Sequence, residues 1–197
     1  MRKFVVAVLS LFVMAFATVC FAETYEMTYE APYFTEQLKN DQALSETFTT
    51  PHGMLKIQAR KLWQSSSDNR LHFIVWLDGK RIADDHFPKV DYGYTVRVFK
   101  NTSNGDMFYS LESIERACLY GYSPEKNKLE IYIDSQYYAH EAGAYPYIVA
   151  LKNGNLILAF EKANKCQRYR FNWDAKANWF GYSDIGSGWT SIRGDKQ

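Results

Sequence analysis

The chain has 197 residues, and its 23 Lys and Arg against 22 Asp and Glu leave a net charge of +1. With no basic stripe along the body, that balance excludes a nucleic-acid binder that works by neutralising phosphates. Aromatic residues make up 17% of the chain, fifteen Tyr and thirteen Phe among them, which favours strands over helices and leaves rings for surface recognition.

Residues 1–22 have the layout of a cleaved secretory signal. Arg2 and Lys3 precede an apolar run from Phe4 to Phe16 broken only by Ser10, and Cys20 and Ala22 place small side chains before a cut at Glu23. A retained anchor would need a longer apolar stretch, and Val19 stands where a lipoprotein signal has a small residue before its cysteine. The protein is therefore expected to be secreted or periplasmic, with no membrane span after cleavage. The mature chain, Glu23 to Gln197, keeps 175 residues, enough for one domain with its own core. It also keeps Cys118 and Cys166, an even number in an oxidising compartment, for which one disulfide is expected. Closing that loop would stabilise the chain by about 3–4 kcal/mol.

Residues 23–50 read as an acidic N-terminal arm, six acids against Lys39, with no period-two pattern and room for one helical turn between Thr35 and Leu44. The body, 51–190, begins differently. Leu55, Ile57 and Ala59 alternate with Lys56, Gln58 and Arg60, the period of a half-buried strand. A loop at Ser65 to Asn69 leads to Leu71–Leu77, which is apolar on both faces apart from His72 and belongs in the middle of a sheet or between layers. Asp78-Gly79 is a tight-turn signal that returns the chain through Lys80 to Ala83.

Next, Tyr94, Val96 and Val98 alternate with Thr95 and Arg97, and the turn-forming run Asn101 to Asp106 leads into Met107 to Leu111. Leu119 to Tyr122 precedes a turn at Ser123 to Asn127 and the alternating Leu129, Ile131, Ile133. Tyr147 to Leu151 pairs through Asn153-Gly154 with Leu156 to Phe160, the strongest hairpin signal in the chain. Tyr169, Phe171 and Trp173 then turn at Asp174 to Asn178 and return through Trp179 to Tyr182, leaving 191–197 as a flexible tail.

These signals predict an all-β domain: an antiparallel meander of about ten strands, built as a sandwich or a closed barrel. One alternative is a set of propeller-like blades. Tyr120-x-Tyr122 with Asn127, Leu129 and Ile131 recurs 51 residues later as Phe171-x-Trp173 with Asn178, Phe180 and Tyr182, near a blade period.

No phosphate loop, nucleophile elbow or metal-ligand spacing is present, so neither cofactor nor metal is expected. The longest stretch between strand signals combines Tyr137, Tyr138, His140, Glu141 and Tyr145 and is the first candidate recognition surface. The Trp-rich end, with Trp173, Trp179, Tyr182 and Trp189, is the second, because flat rings match the apolar faces of sugars. Asp84-Asp85-His86 offers two carboxylates and an imidazole, though alternate residues of a strand point to opposite faces.

Three functional readings follow. The first is a non-catalytic module of the cell envelope or exterior that binds a glycan or a protein partner. The second is a secreted hydrolase working through His140 and Glu141 or through Asp84-Asp85-His86. The third is a structural protein of an envelope assembly.

Overall fold

A computed structural model describes residues 23–34, 44–61, 71–87, 93–163, 165–174 and 176–188. Among them are thirteen strands: β1 (Tyr25–Phe34), β2 (Leu44–Thr50), β3 (Gly53–Lys61), β4 (Leu71–Leu77), β5 (Lys80–Phe87), β6 (Gly93–Asn101), β7 (Met107–Glu112), β8 (Ala117–Ser123), β9 (Lys128–Asp134), β10 (Tyr145–Ala150), β11 (Leu156–Lys162), β12 (Lys165–Asp174) and β13 (Trp179–Gly188). A single 3₁₀ turn, Ser135–Tyr137, is the one helical element of the described residues.

The strands form three antiparallel sheets, ordered β2-β3-β4-β5, β1-β6-β7-β8-β9 and β10-β11-β12-β13. Each is a consecutive meander, except that β1 joins the second sheet beside β6. The fold class is all-β as read from the alternation, and its form is a layered sandwich. Val96, Val98, Tyr109, Leu111 and Tyr120 of the middle sheet pack against Leu55, Ile57, Leu71, Phe73 and Val75 of the first. Phe99, Phe108, Ala117 and Leu119, on the opposite face of the same strands, pack against Ile148, Leu156, Leu158, Phe160 and Phe171 of the third. None of the buried clusters among the described residues joins the first sheet to the third, so the layers do not close into a barrel.

The hairpin at Asp78-Gly79 forms with both residues at positive φ, 48° and 77°, the geometry that matches strand twist. β4 lies inside its sheet, as its apolar run predicts, but only one of its faces is dry. Leu71, Phe73 and Val75 enter the core while His72, Ile74 and Trp76 are half-buried on the outer face.

Two expectations are corrected. The segment read as an arm contains β1 and β2, while the helical turn expected near Thr35 falls on residues outside the described ones. The alternation in β1 is concealed by an irregular register between Met27 and Tyr29. Tyr25 and Met27 pack toward the third sheet and Tyr29 toward the first, so one phase never runs the length of the strand.

The second correction is the disulfide: no bridge joins Cys118 and Cys166, and both are fully buried. Cys118 packs between the first and middle sheets, whereas Cys166 sits on the outward side of the third sheet with Tyr147, Val149, Ile157 and Ala159. An even cysteine count carries no information about which layer each thiol occupies.

The 51-residue echo is real at the level of register. Tyr122 pairs with Leu129 across β8–β9, and Trp173 pairs with Phe180 across β12–β13. The turn residues Asn127 and Asn178 both adopt φ of 49°. The units so related stack as layers.

Candidate functional site

Because the three meanders run consecutively, their hairpin turns β2–β3, β6–β7, β8–β9, β10–β11 and β12–β13 gather at one end of the stack. That end is stitched by backbone bonds between chain segments far apart in sequence. The Tyr25 amide donates to the Gly154 carbonyl at 2.9 Å, and the Thr102 amide donates to the Thr24 carbonyl at 2.9 Å.

A cleft of about 280 Å³ opens among these turns. Its lining comes from all three sheets: Thr50 and His52 from the first, Asn104, Asp106, Phe108, Tyr122 and Tyr132 from the middle, Trp173 and Asn178 from the third. Gly121 makes room for its aromatic floor, since a Cβ there would stand 2.7 Å from the Phe108 ring and 2.8 Å from that of Tyr132. Trp173 and Phe180 meet at 5.0 Å and 78°, and Trp179 leans on Tyr132 at 4.9 Å.

The polar side of the cleft is pre-organised. His52 Nε2 lies 2.9 Å from Asp106 Oδ1, while Asn104 Nδ2 donates to the other carboxylate oxygen at 2.8 Å. The Asp106 amide in turn donates to Asn104 Oδ1 at 2.8 Å. With its Nε2–H given to the carboxylate, a neutral His52 offers Nδ1 as an acceptor. Tyr122 packs on the imidazole at 5.4 Å and donates its hydroxyl to Asn127 at 3.1 Å. Burial pushes the Tyr132 hydroxyl up to about 12, so it stays protonated. The result is a wall of aromatic faces beside fixed hydrogen-bonding edges, which suits a small ring with one apolar face and polar substituents.

The residues singled out from sequence divide between this end and the opposite one. Trp173 lines the cleft and Trp179 borders it, while Trp189 lies outside the described residues. The stretch with His140 and Glu141 connects β9 to β10 at the end opposite Trp173 and Trp179, and it meets the Trp-rich group only where Tyr138 packs on Tyr182 at 5.1 Å. At that end His140 and Glu141 line an open hollow of about 470 Å³ with Phe160, Lys162, Gln167 and Tyr169.

The His140 ring lies flat on Phe160 at 4.3 Å, and its Nδ1 is 2.8 Å from the Tyr138 carbonyl. Lys162 donates to Glu141 at 2.8 Å and holds that carboxyl below its usual range. Tyr138 packs among Tyr169, Phe171 and Tyr182, whereas Tyr137 and Tyr145 stand out in solvent. The five residues are thus one local patch with no raised carboxyl.

On the outer face of the first sheet, His72 Nε2 is 2.6 Å from Asp84, and His72 stacks on His86 at 5.0 Å. Asp84 also accepts from Arg81 at 2.8 Å. The hydrogen bond from His72 holds the Asp84 carboxyl below its ordinary value. Asp85 caps the backbone amide of His86. The strand period separates Asp85 from its neighbours, as alternation requires. Among the described residues no group of three or more His, Cys, Asp or Glu could hold a metal ion.

Sequence reasoning passed over His52, Asp106, Tyr122 and Tyr132. They lie in or beside three different hairpins, and His52 and Asp106 are 54 positions apart, so no local spacing betrays them. The available signal was indirect: Thr50 to Gly53 and Asn101 to Asp106 are turns dense in hydrogen-bonding side chains. Compared with protein-family models, curated proteins and solved structures, the chain matches none of them.

Proposed function

We propose that this is an exported, non-catalytic binding module of the cell envelope or exterior, whose cleft takes one small carbohydrate ring. The observation that carries the reading is the cleft itself: Tyr122, Tyr132 and Trp173 furnish apolar faces, and the His52–Asp106–Asn104 cluster furnishes fixed polar edges. Its 280 Å³ lies just below the roughly 300–1,000 Å³ usual for ligand sites, which fits a ring better than a long polymer. Export is supported by the charged start, apolar run and small-residue cut site of residues 1–22. No helix among the described residues is long and apolar enough to cross a membrane.

A non-catalytic role is supported by the carboxyls at the alternative sites. Glu141 is held low by its hydrogen bond from Lys162 and Asp84 by its hydrogen bond with His72, which is opposite to what a general acid needs at neutral pH.

Calorimetric titration with a panel of monosaccharides and disaccharides tests the proposal. Saturable binding that weakens about tenfold or more in both Tyr122→Ala and His52→Ala is expected, the loss of one stacked or hydrogen-bonded contact. Absence of heat with every sugar, or binding indifferent to both substitutions, would overturn it.

A further inference from the structure

Each open sheet has two edges, and four of the six are blunted by charges, a proline or a cap. β1 carries Glu26, Glu30 and a register irregularity, and the hydroxyl of its Tyr29 donates to Glu46 on β2. β5 presents Lys80, Arg81, Asp84 and Asp85, and β9 presents Lys128 and Glu130. On β10, Pro146 has no amide hydrogen and the Ile148 amide is taken by Glu112 at 3.1 Å. Such charges, prolines and caps are how sheets avoid adding strands.

Over its regular run from Trp179 to Ser183, β13 lacks these devices. Its ten residues contain no Lys, Arg or Pro, and its single charge, Asp184, is turned to its own sheet by Gln167 and by the Gly186 amide, both at 2.7 Å. Among the described residues no strand pairs with its outer edge. Gly181 through Ser187 are exposed, Tyr182 at 60% and Ile185 at 36%, with Trp179 at 39% before them. The register to β12 is regular from Trp179 to Asp184, and the irregularity lies only beyond it.

We infer that β13 is a homodimer edge: a second copy of this chain adds its own β13 antiparallel, joining two third sheets into one continuous sheet. A two-fold axis normal to the sheet requires opposed residues to share a face, and centring it on Gly181 satisfies that over the regular run. Phe180 then opposes Tyr182 of the second copy, an aromatic cross-strand pair. Trp179 opposes Ser183, and the two Asp184 carboxylates lie at opposite ends of the pairing. The strand is therefore complementary to itself in charge as well as in shape, which a partner bearing charges along its edge would not be. Backbone hydrogen bonds supply affinity, as in other strand-addition complexes.

Gly181 provides the test, because a Cβ there would meet nothing nearer than the Asn172 carbonyl oxygen at 3.8 Å. The protein expressed from its full chain is expected to sediment at the mass of two processed chains, and Gly181→Lys at the mass of one with an unchanged far-ultraviolet spectrum. The two ammonium groups would face each other across the axis. Tyr182→Lys is the second variant, at an exposed position, should the first fail to fold. Amide exchange across Trp179 to Asp184 in the wild-type protein should slow as concentration rises. A protein that stays monomeric, a dimer that survives both substitutions, or β13 amides whose exchange ignores concentration would overturn the inference.

Discussion

Glu112 is where two layers share a charge. It is almost fully buried in the middle sheet, and it meets the Arg97 guanidinium in a close ion pair. Ser110 donates to its Oε1 at 2.6 Å, and the Ile148 amide of the third sheet donates to the same oxygen at 3.1 Å. Arg97 reaches onward to Glu30 on β1 at 2.7 Å. Desolvation alone would lower the Arg97 pKa, but its two carboxylate partners outweigh it and the value is raised. Removing one member of such a set strands the others in a dry interior. Glu112→Ala is therefore expected to destabilise the fold by about 3–5 kcal/mol in denaturant unfolding. Glu112→Gln, which keeps an acceptor for Ser110 and Ile148, should cost less. Equal losses in the two variants would mean that the charge, rather than the bridging acceptor, is what the layers require.

At the scale of the element, the β8–β9 and β12–β13 hairpins show how a local rule repeats. In both, Asn127 and Asn178 take the left-handed backbone conformation at the end of the turn, one that Asn tolerates and β-branched residues resist. Asn127→Val and Asn178→Val should each destabilise by about 1–2 kcal/mol, and the Gly variants should be close to neutral. Thermal or urea unfolding of the four variants checks this, and similar costs at the two sites would confirm that the hairpins are equivalent. The elements were legible in sequence wherever a turn residue and a period-two run agreed, as at Asp78-Gly79 and Asn153-Gly154. They were not legible in β1, where the irregularity at Met27–Tyr29 switches the buried face midway.

Across the whole molecule, layering decides which residues meet. The cysteines show it directly: Cys118 and Cys166 lie on separate sheets and in separate clusters, so an oxidising surrounding has no pair to join. Burial pushes the Cys118 thiol up to about 12, well away from the reactive thiolate. In a protein that begins at Glu23, both thiols should stay unreacted with a thiol reagent in the native state, and unfolding in denaturant should release two. Reaction of neither thiol after unfolding would restore the disulfide.

The cleft obeys the same logic. Its aromatic side was partly anticipated from the Trp-rich end, but its polar side comes from turns that only stacking brings together. The stretch from Tyr137 to Tyr145 was read as a loop surface, and the connection β9–β10 carries it to the end opposite Trp173 and Trp179. The sequence alone determined the all-β class and most of the hairpin turns of the body, because alternation and turn chemistry are local properties of the backbone. Which sheet became the middle layer, which thiols stayed apart and which turns framed a cleft depended on the packing of faces from residues remote in sequence, and only the tertiary structure decided them.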